Sequence, residues 1–184
     1  MTSLGSSASR WSIRSGVVFL AVLLAAGAVW SRSAHAQGPP LTARNLDPVV
    51  QRGDILVVQI TIGSAANPVP ELSGVGFQLA FDNNALTFLD RQVGAIFAPE
   101  HPGNTLEIGP TLDGSAVDYS STFFLVSPLP QDVEDGEVVR LRFEVKDDAP
   151  IGTTDLTLSD AQRGTSTNPS IPINTLVNDD VTVS

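Results

Sequence analysis

The 184-residue sequence predicts an all-β fold, and three observations carry that reading. Apolar residues recur with period two in several windows. No window after residue 36 sustains a 3.6-residue apolar period, and turn-forming residues interrupt the alternating stretches at intervals typical of a sandwich or barrel. The first 36 residues stand apart, because they carry Arg10, Arg14 and Arg32 and no acidic side chain. Their apolar run, residues 16–30, rises at ~1.5 Å per residue as a helix and falls short of a ~30 Å hydrocarbon core. That layout predicts a signal-peptide helix, with Ala34-His35-Ala36 placing small residues at −3 and −1 for cleavage before Gln37. Export is the expectation, to the medium or the cell surface, with no stable membrane insertion after cleavage. Residues 37–184 are enough for one domain with its own core.

The elements follow in chain order. Arg52-Gly53-Asp54 turns into a strand whose stripe is Leu56, Val58, Ile60 and Ile62, with Ile55 and Val57 making its start apolar on both sides. After a breaker at 67–70, Val75, Phe77, Leu79 and Phe81 put four large apolar groups on one face, and Gly74, Gly76, Gln78 and Ala80 take the other. Asp82-Asn83-Asn84 forms a turn, from which Leu86 re-enters the core. Weaker strands are expected at 86–91, 105–108 and 117–125, with breakers at 99–104, Asp113-Gly114 and 127–136. Val139, Leu141, Phe143 and Val145 then alternate with Val138, Arg140, Arg142 and Glu144, so the far face of that strand is wet. Beyond the turn at 147–152 come strands at 154–159 and, past a breaker at 164–172, at 180–183. No internal repeat and no long linker divides the region.

Composition removes several function classes. All twenty acidic residues follow Ala36, together with six arginines and Lys146, which leaves residues 37–184 with a net charge of −13 and makes nucleic acid an unsuitable partner. Without cysteine there is no disulfide, thiolate metal site or cysteine nucleophile. His101, between Glu100 and Pro102, is the one histidine after residue 36, and it has neither a G-x-S-x-G elbow nor a second histidine to work with. Asp54, Asp82, Asp113, Asp135 and Asp147-Asp148 stand where turns want an aspartate. A glycosidase pair is defined by a spacing of ~5 to 10 Å between two carboxyl groups, which sequence does not reveal. Asp132, Glu134, Asp135, Glu137 and Asp179-Asp180 offer oxygen ligands for calcium, yet no D-x-[DN]-x-[DN]-G loop is present. Protection of strand edges is the simpler reading, and no cofactor is expected. Trp11 and Trp30 both precede Gln37, so Tyr119 and the phenylalanines are left to build any sugar-stacking platform. A non-catalytic binding role follows, toward protein rather than polysaccharide.

Four stretches taken together resemble a cohesin domain, the β-sandwich module that receives dockerins in extracellular assemblies. They are Arg52-Gly53-Asp54 with its strand, Gly74-Val75-Gly76-Phe77-Gln78-Leu79-Ala80-Phe81-Asp82-Asn83-Asn84-Ala85-Leu86, Asp135-Gly136-Glu137 running on to Val145, and Ala149-Pro150-Ile151-Gly152-Thr153-Thr154-Asp155-Leu156. The resemblance implies a nine-stranded jelly-roll β-sandwich and a flat face on which a dockerin helix docks, with calcium carried by that partner. It implies that the face is built from residues 74–81, 105–108, 117–124 and 137–145. Its outward candidates are Gly74, Gly76, Gln78, Arg140, Arg142 and Glu144, joined by Asp118, Ser120 and Thr122 if Tyr119 faces the core. Family patterns often place asparagine or aspartate where Gly74 and Gly76 stand. A glycine-bearing strand lets another backbone come close, and arginine pairs bidentately with a partner's carboxylate. The alternatives are a carbohydrate-binding module of the same superfamily, with polysaccharide as partner, and a structural domain of a surface assembly.

Overall fold

The structure, a computed structural model, describes residues 38–97, 105–123, 131–165 and 167–184, with the backbone alone at 105–107, 120–123 and 131. These residues belong to one compact unit, Gln37–Ser184. The expected signal peptide and His101 lie outside the described residues.

The first strands are β1 (Leu41–Asn45), β2 (Val49–Val50), β3 (Ile55–Ile62), β4 (Val69–Leu72), β5 (Gly74–Ala80) and β6 (Leu86–Val93). A 3-10 turn at Ala95–Phe97 precedes β7 (Thr105–Asp113), β8 (Ala116–Phe123), β9 (Gln131–Val133) and β10 (Gly136–Val145). The chain closes with β11 (Gly152–Gly164), β12 (Ile171–Pro172), β13 (Leu176–Val177) and β14 (Asp179–Val183). Nine of these strands are five residues or longer, which is the number a nine-stranded jelly roll requires, and the other five are short covering pieces.

One sheet has the order β13-β1-β3-β10-β6, the other β2-β14-β11-β5-β8-β7 with β12 attached to β11, and β4 pairs with β9 in a small ribbon. The three predicted stripes form the core: Leu56, Val58, Ile60 and Ile62 and likewise Val139, Leu141, Phe143 and Val145 are fully buried from the first sheet, and Val75, Phe77 and Leu79 of the second, with Phe81 just past the end of β5, are buried against them. Phe143 sits between Phe81 and Phe88 at ring-centroid distances of 5.0 and 5.6 Å, both edge-on, a geometry that suits the aromatic quadrupole.

Several elements depart from the sequence expectation. Strand β1 is additional, as are β4, β9 and β12, which occupy segments read as breakers. A cross-sheet tie also joins β1 to the last strand, since Asn45 donates from Nδ2 to the Asp180 carbonyl (3.1 Å) while its backbone N–H reaches Asp179 Oδ2 (2.6 Å). Strand β7 runs on past 108, with its register against β8 shifting between Ile108 and Thr111, where Gly109 holds φ 92°. Strand β11 is longer than 154–159 at both ends: its start, Gly152 and Thr153, pairs with β14, and a bulge between Ser159 and Gln162, with Asp160 at φ 49°, lets pairing with β5 resume at its end. A second bulge, in β10 between Glu137 and Val139, lies against Gly94, where a Cβ would fall 2.3 Å from the Glu137 carbonyl oxygen.

Candidate functional site

The alternation that buries Val75, Phe77 and Leu79 turns Gly76, Gln78 and Ala80 to the outside of the larger sheet, and Gly74, on the same side of the strand, is buried. Their neighbours on either side are fixed by register. Gly76 lies between Gln162 of β11 and Ser120 of β8, Gln78 between Ser159 and Asp118, and Ala80 between Thr157 and Ala116. One strand further out, Ile108 lies opposite Ser120, Thr111 opposite Asp118 and Asp113 opposite Ala116. Four adjacent strands, β11-β5-β8-β7, thus present one face about 14 Å across at the usual strand spacing.

The middle of this face is nearly bare. Glycine and alanine at Gly76, Ala80 and Ala116 leave the backbone approachable, while Gly74 at the end of the row is itself buried, and the polar groups that rise from the face are bonded to each other: Gln78 Nε2 donates to Asp118 Oδ1 (3.0 Å), and Ser159 Oγ to Gln78 Oε1 (3.4 Å). Ile108, 60% exposed, stands at the β7 side as a large apolar group without cover. Tyr119 is 3% exposed and packs on Phe77 at 5.4 Å, which is what turns Asp118 outward. The backbone positions of Ser120 and Thr122 fall on the same face, while their side chains lie outside the described ones.

The structure corrects the makeup of the expected face. Strand β10 pairs with β3 and β6 in the smaller sheet, so Arg140, Arg142 and Glu144 point away from the opposite side of the sandwich and share no surface with Gly74, Gly76, Gln78 and Asp118. Alternation tells which side of a strand is wet but not which sheet the strand joins, and that is where the grouping failed. Both arginines are engaged locally: Arg140 donates from Nε and Nη2 to Glu137 Oε2 (3.0 and 2.9 Å), and Arg142 Nη1 pairs with Asp90 (3.0 Å). Gln59 donates to the same Glu137 oxygen. The place expected of β10 is taken by β11, whose Thr157, Ser159 and Gln162 the sequence reading did not single out. The signal existed in the alternation of Thr153, Asp155 and Thr157 with Thr154, Leu156 and Leu158, of which the last three are buried.

The acidic groups weighed for calcium mostly serve the fold. Asp132 Oδ1 accepts from the Glu71 N–H, Asp179 from the N–H groups of Asn45 and Asp180, and Glu137 from Arg140. Among the described residues no group of three histidine, aspartate or glutamate side chains is arranged to hold a metal ion. No helix among them is long and apolar enough to cross a membrane.

No family model matches the sequence, and no curated protein matches it. Solved structures do match. A non-cellulosomal cohesin from the hyperthermophilic archaeon Archaeoglobus fulgidus superposes with a TM-score of 0.58 at 14% identity, over 80% of this chain and 91% of its own. A type II cohesin domain from the cellulosome of Acetivibrio cellulolyticus gives 0.62 at 13%, over 78% and 95%. The chain has the cohesin fold. The sixth cohesin of scaffoldin B from Acetivibrio cellulolyticus, solved in complex with a dockerin, gives 0.60 at 18%, over 80% of this chain and 99% of that one. The type I and type II cohesins thus share with this chain the sandwich that holds β11-β5-β8-β7 in one plane, while at such identities the side chains on that plane are this chain's own.

Proposed function

We propose that this chain is an exported, non-catalytic docking module that captures a dockerin-like protein on the outer face of β11-β5-β8-β7. The observation that carries the reading is the bare middle of that face, Gly76, Ala80 and Ala116, beside the exposed Ile108. A helix needs a surface that its own side chains can reach into, and a glycine-lined trough edged by an apolar residue supplies one. The cohesin fold supports the choice of partner, because cohesins of the same fold have been solved in complex with dockerins. Export through the expected signal peptide, cleavage before Gln37 and calcium held by the partner rather than by this chain belong to the same reading. In this reading Gly76, Gln78, Asp118 and Ile108 are the contact residues, with Ser120 and Thr122 beside them, and Arg140, Arg142 and Glu144 are not.

The test is capture of a calcium-loaded dockerin panel by the immobilised protein. Gly76→Arg fills the trough and is expected to reduce retention at least tenfold, the scale of a lost interface hot spot. The pair Arg140→Glu and Arg142→Glu, on the other side of the sandwich, is expected to leave retention unchanged. Retention of insoluble polysaccharide with no dockerin bound would replace this reading with the carbohydrate-binding one.

A further inference from the structure

The outer face of the smaller sheet is a second broad surface, and register fixes its pattern. Arg44, Gln59, Arg140 and Gln92 stand level across β1, β3, β10 and β6. The next row holds Leu46, Val57, Arg142 and Asp90, and the row after it Ile55, Glu144 and Thr87. Leu46 and Ile55 are exposed and Val57 is half-buried, so three apolar side chains meet in the middle of the face.

Charge sets this face apart from the rest of the domain. Arg44, Arg140 and Arg142 are matched by Asp90, Glu137 and Glu144, which leaves the face neutral although residues 37–184 carry a net charge of −13. Two copies laid together on the larger sheet would set aspartates against aspartates, whereas two copies laid together on the smaller one would not. Arg140 is already paired with Glu137, and Arg142 with Asp90. Arg44 and Glu144 have no side-chain hydrogen bond or ion pair among the described residues.

These two side chains stand symmetrically about Val57. Arg44 lies one strand to one side of it, level with Gln59, and Glu144 lies one strand to the other side, level with Ile55. Consider a half-turn about an axis in the plane of contact, through Val57 and at right angles to the line from Arg44 to Glu144. It sets Arg44 on the partner's Glu144 and Glu144 on the partner's Arg44. With strands ~4.8 Å apart and ~6.8 Å for every two residues along them, it also lays Ile55 within about 3 Å of the partner's Leu46, measured in the plane, and Arg140 as close to the partner's Asp90. We propose that this face is the interface of a symmetric dimer of this chain, with Leu46, Ile55 and Val57 at its centre and the Arg44–Glu144 and Arg140–Asp90 pairs around them. The dimer turns the larger sheets of the two copies away from each other. On the docking reading, which the dimer itself does not require, it presents two troughs and binds a partner bearing two docking segments by avidity.

The patch is small beside the about 1,200–2,000 Å² of a stable specific interface, so a dissociation constant of roughly 0.1 mM is expected. Sedimentation velocity of the protein from ~10 µM to ~1 mM, in ~0.15 M salt where the screening length of ~8 Å mutes the repulsion between remote acids, is expected to show a monomer–dimer equilibrium. Arg44→Glu alone and Glu144→Arg alone are each expected to weaken it at least about tenfold, because each change acts twice in a symmetric dimer, and the two combined to restore it. Both side chains are exposed, so the urea midpoint is expected to stay at the parent value and to exclude misfolding as the cause. Gly76→Arg is expected to leave the dimer unchanged, so that a failure of the trough and a failure of this interface are told apart. A protein that stays monomeric throughout, or a dimer indifferent to the charge reversals or not restored by combining them, would overturn the assignment.

Discussion

Glu71 holds a φ of 50°, in the left-handed region that L side chains avoid, and its N–H is fastened to Asp132 Oδ1 at 2.9 Å. That conformation costs a non-glycine residue about 1–2 kcal/mol, whereas glycine adopts it freely but loses about 0.5–1 kcal/mol of chain entropy on folding. The first effect wins. Glu71→Gly is therefore expected to raise stability by about 0.5–1 kcal/mol, read as a higher urea midpoint with an unchanged slope. Asn45 gives the opposite case. It is 7% exposed, its Oδ1 accepts from the Asp47 N–H (2.9 Å) and its Nδ2 donates to the Asp180 carbonyl. Asn45→Ala leaves both backbone groups short of a partner at the junction of the two sheets and is expected to cost about 1–3 kcal/mol by the same measurement.

The elements differ in how plainly the sequence announces them. Stripes such as Leu56 to Ile62 and Val75 to Phe81 were legible because period-two burial is a local property that each strand writes into its own residues. Strands β4, β9, β12 and β13 are two to four residues long, too short for any period to show; β12 and β13 exist because β11 and β1 offer them free hydrogen-bonding groups, and β4 and β9 because each satisfies the other. Sheet membership was not legible at all. Arg140 and Arg142 were rightly read as outward, but whether outward means beside Gly76 or on the far side of the sandwich depends on pairings with β3 and β6 made across long stretches of chain. The bulge at Asp160 hid half of β11 in the same way, since it breaks the alternation without ending the strand. One close approach between elements yields a further prediction. Gly94→Ala would drive a methyl group into the Glu137 carbonyl at the β10 bulge, at an expected cost of about 1–3 kcal/mol, with amide exchange rising first along β6.

Across the whole molecule, charge is distributed unevenly. The outer face of the larger sheet carries Asp113, Asp118, Asp155 and Asp180, whereas on the smaller one Arg44, Arg140 and Arg142 stand beside Asp90, Glu137 and Glu144. With a net charge of −13 over residues 37–184, self-repulsion is substantial in dilute buffer, where the screening length is ~30 Å at 0.01 M, and slight at 1 M, where it is ~3 Å. The melting temperature is thus expected to rise with salt over that range. Capture of a cationic partner on the acidic face is expected to weaken over the same range, so stability and binding should move in opposite directions, which calorimetry and surface binding can follow on one sample.

The pairing of the first and last strands has a mechanical consequence. Strand β1 runs parallel to β13, and β2 runs parallel to β14, whose end is held by the bond from the Ser184 N–H to the Val50 carbonyl. A pull applied between the two ends of the domain acts along parallel ladders in opposite directions. It loads their hydrogen bonds together, in shear, instead of peeling them one after another. Stretched between a tether and a cargo, the domain is expected to yield in one abrupt rupture at high force rather than by gradual unravelling, a behaviour that single-molecule pulling would register as a single tall peak.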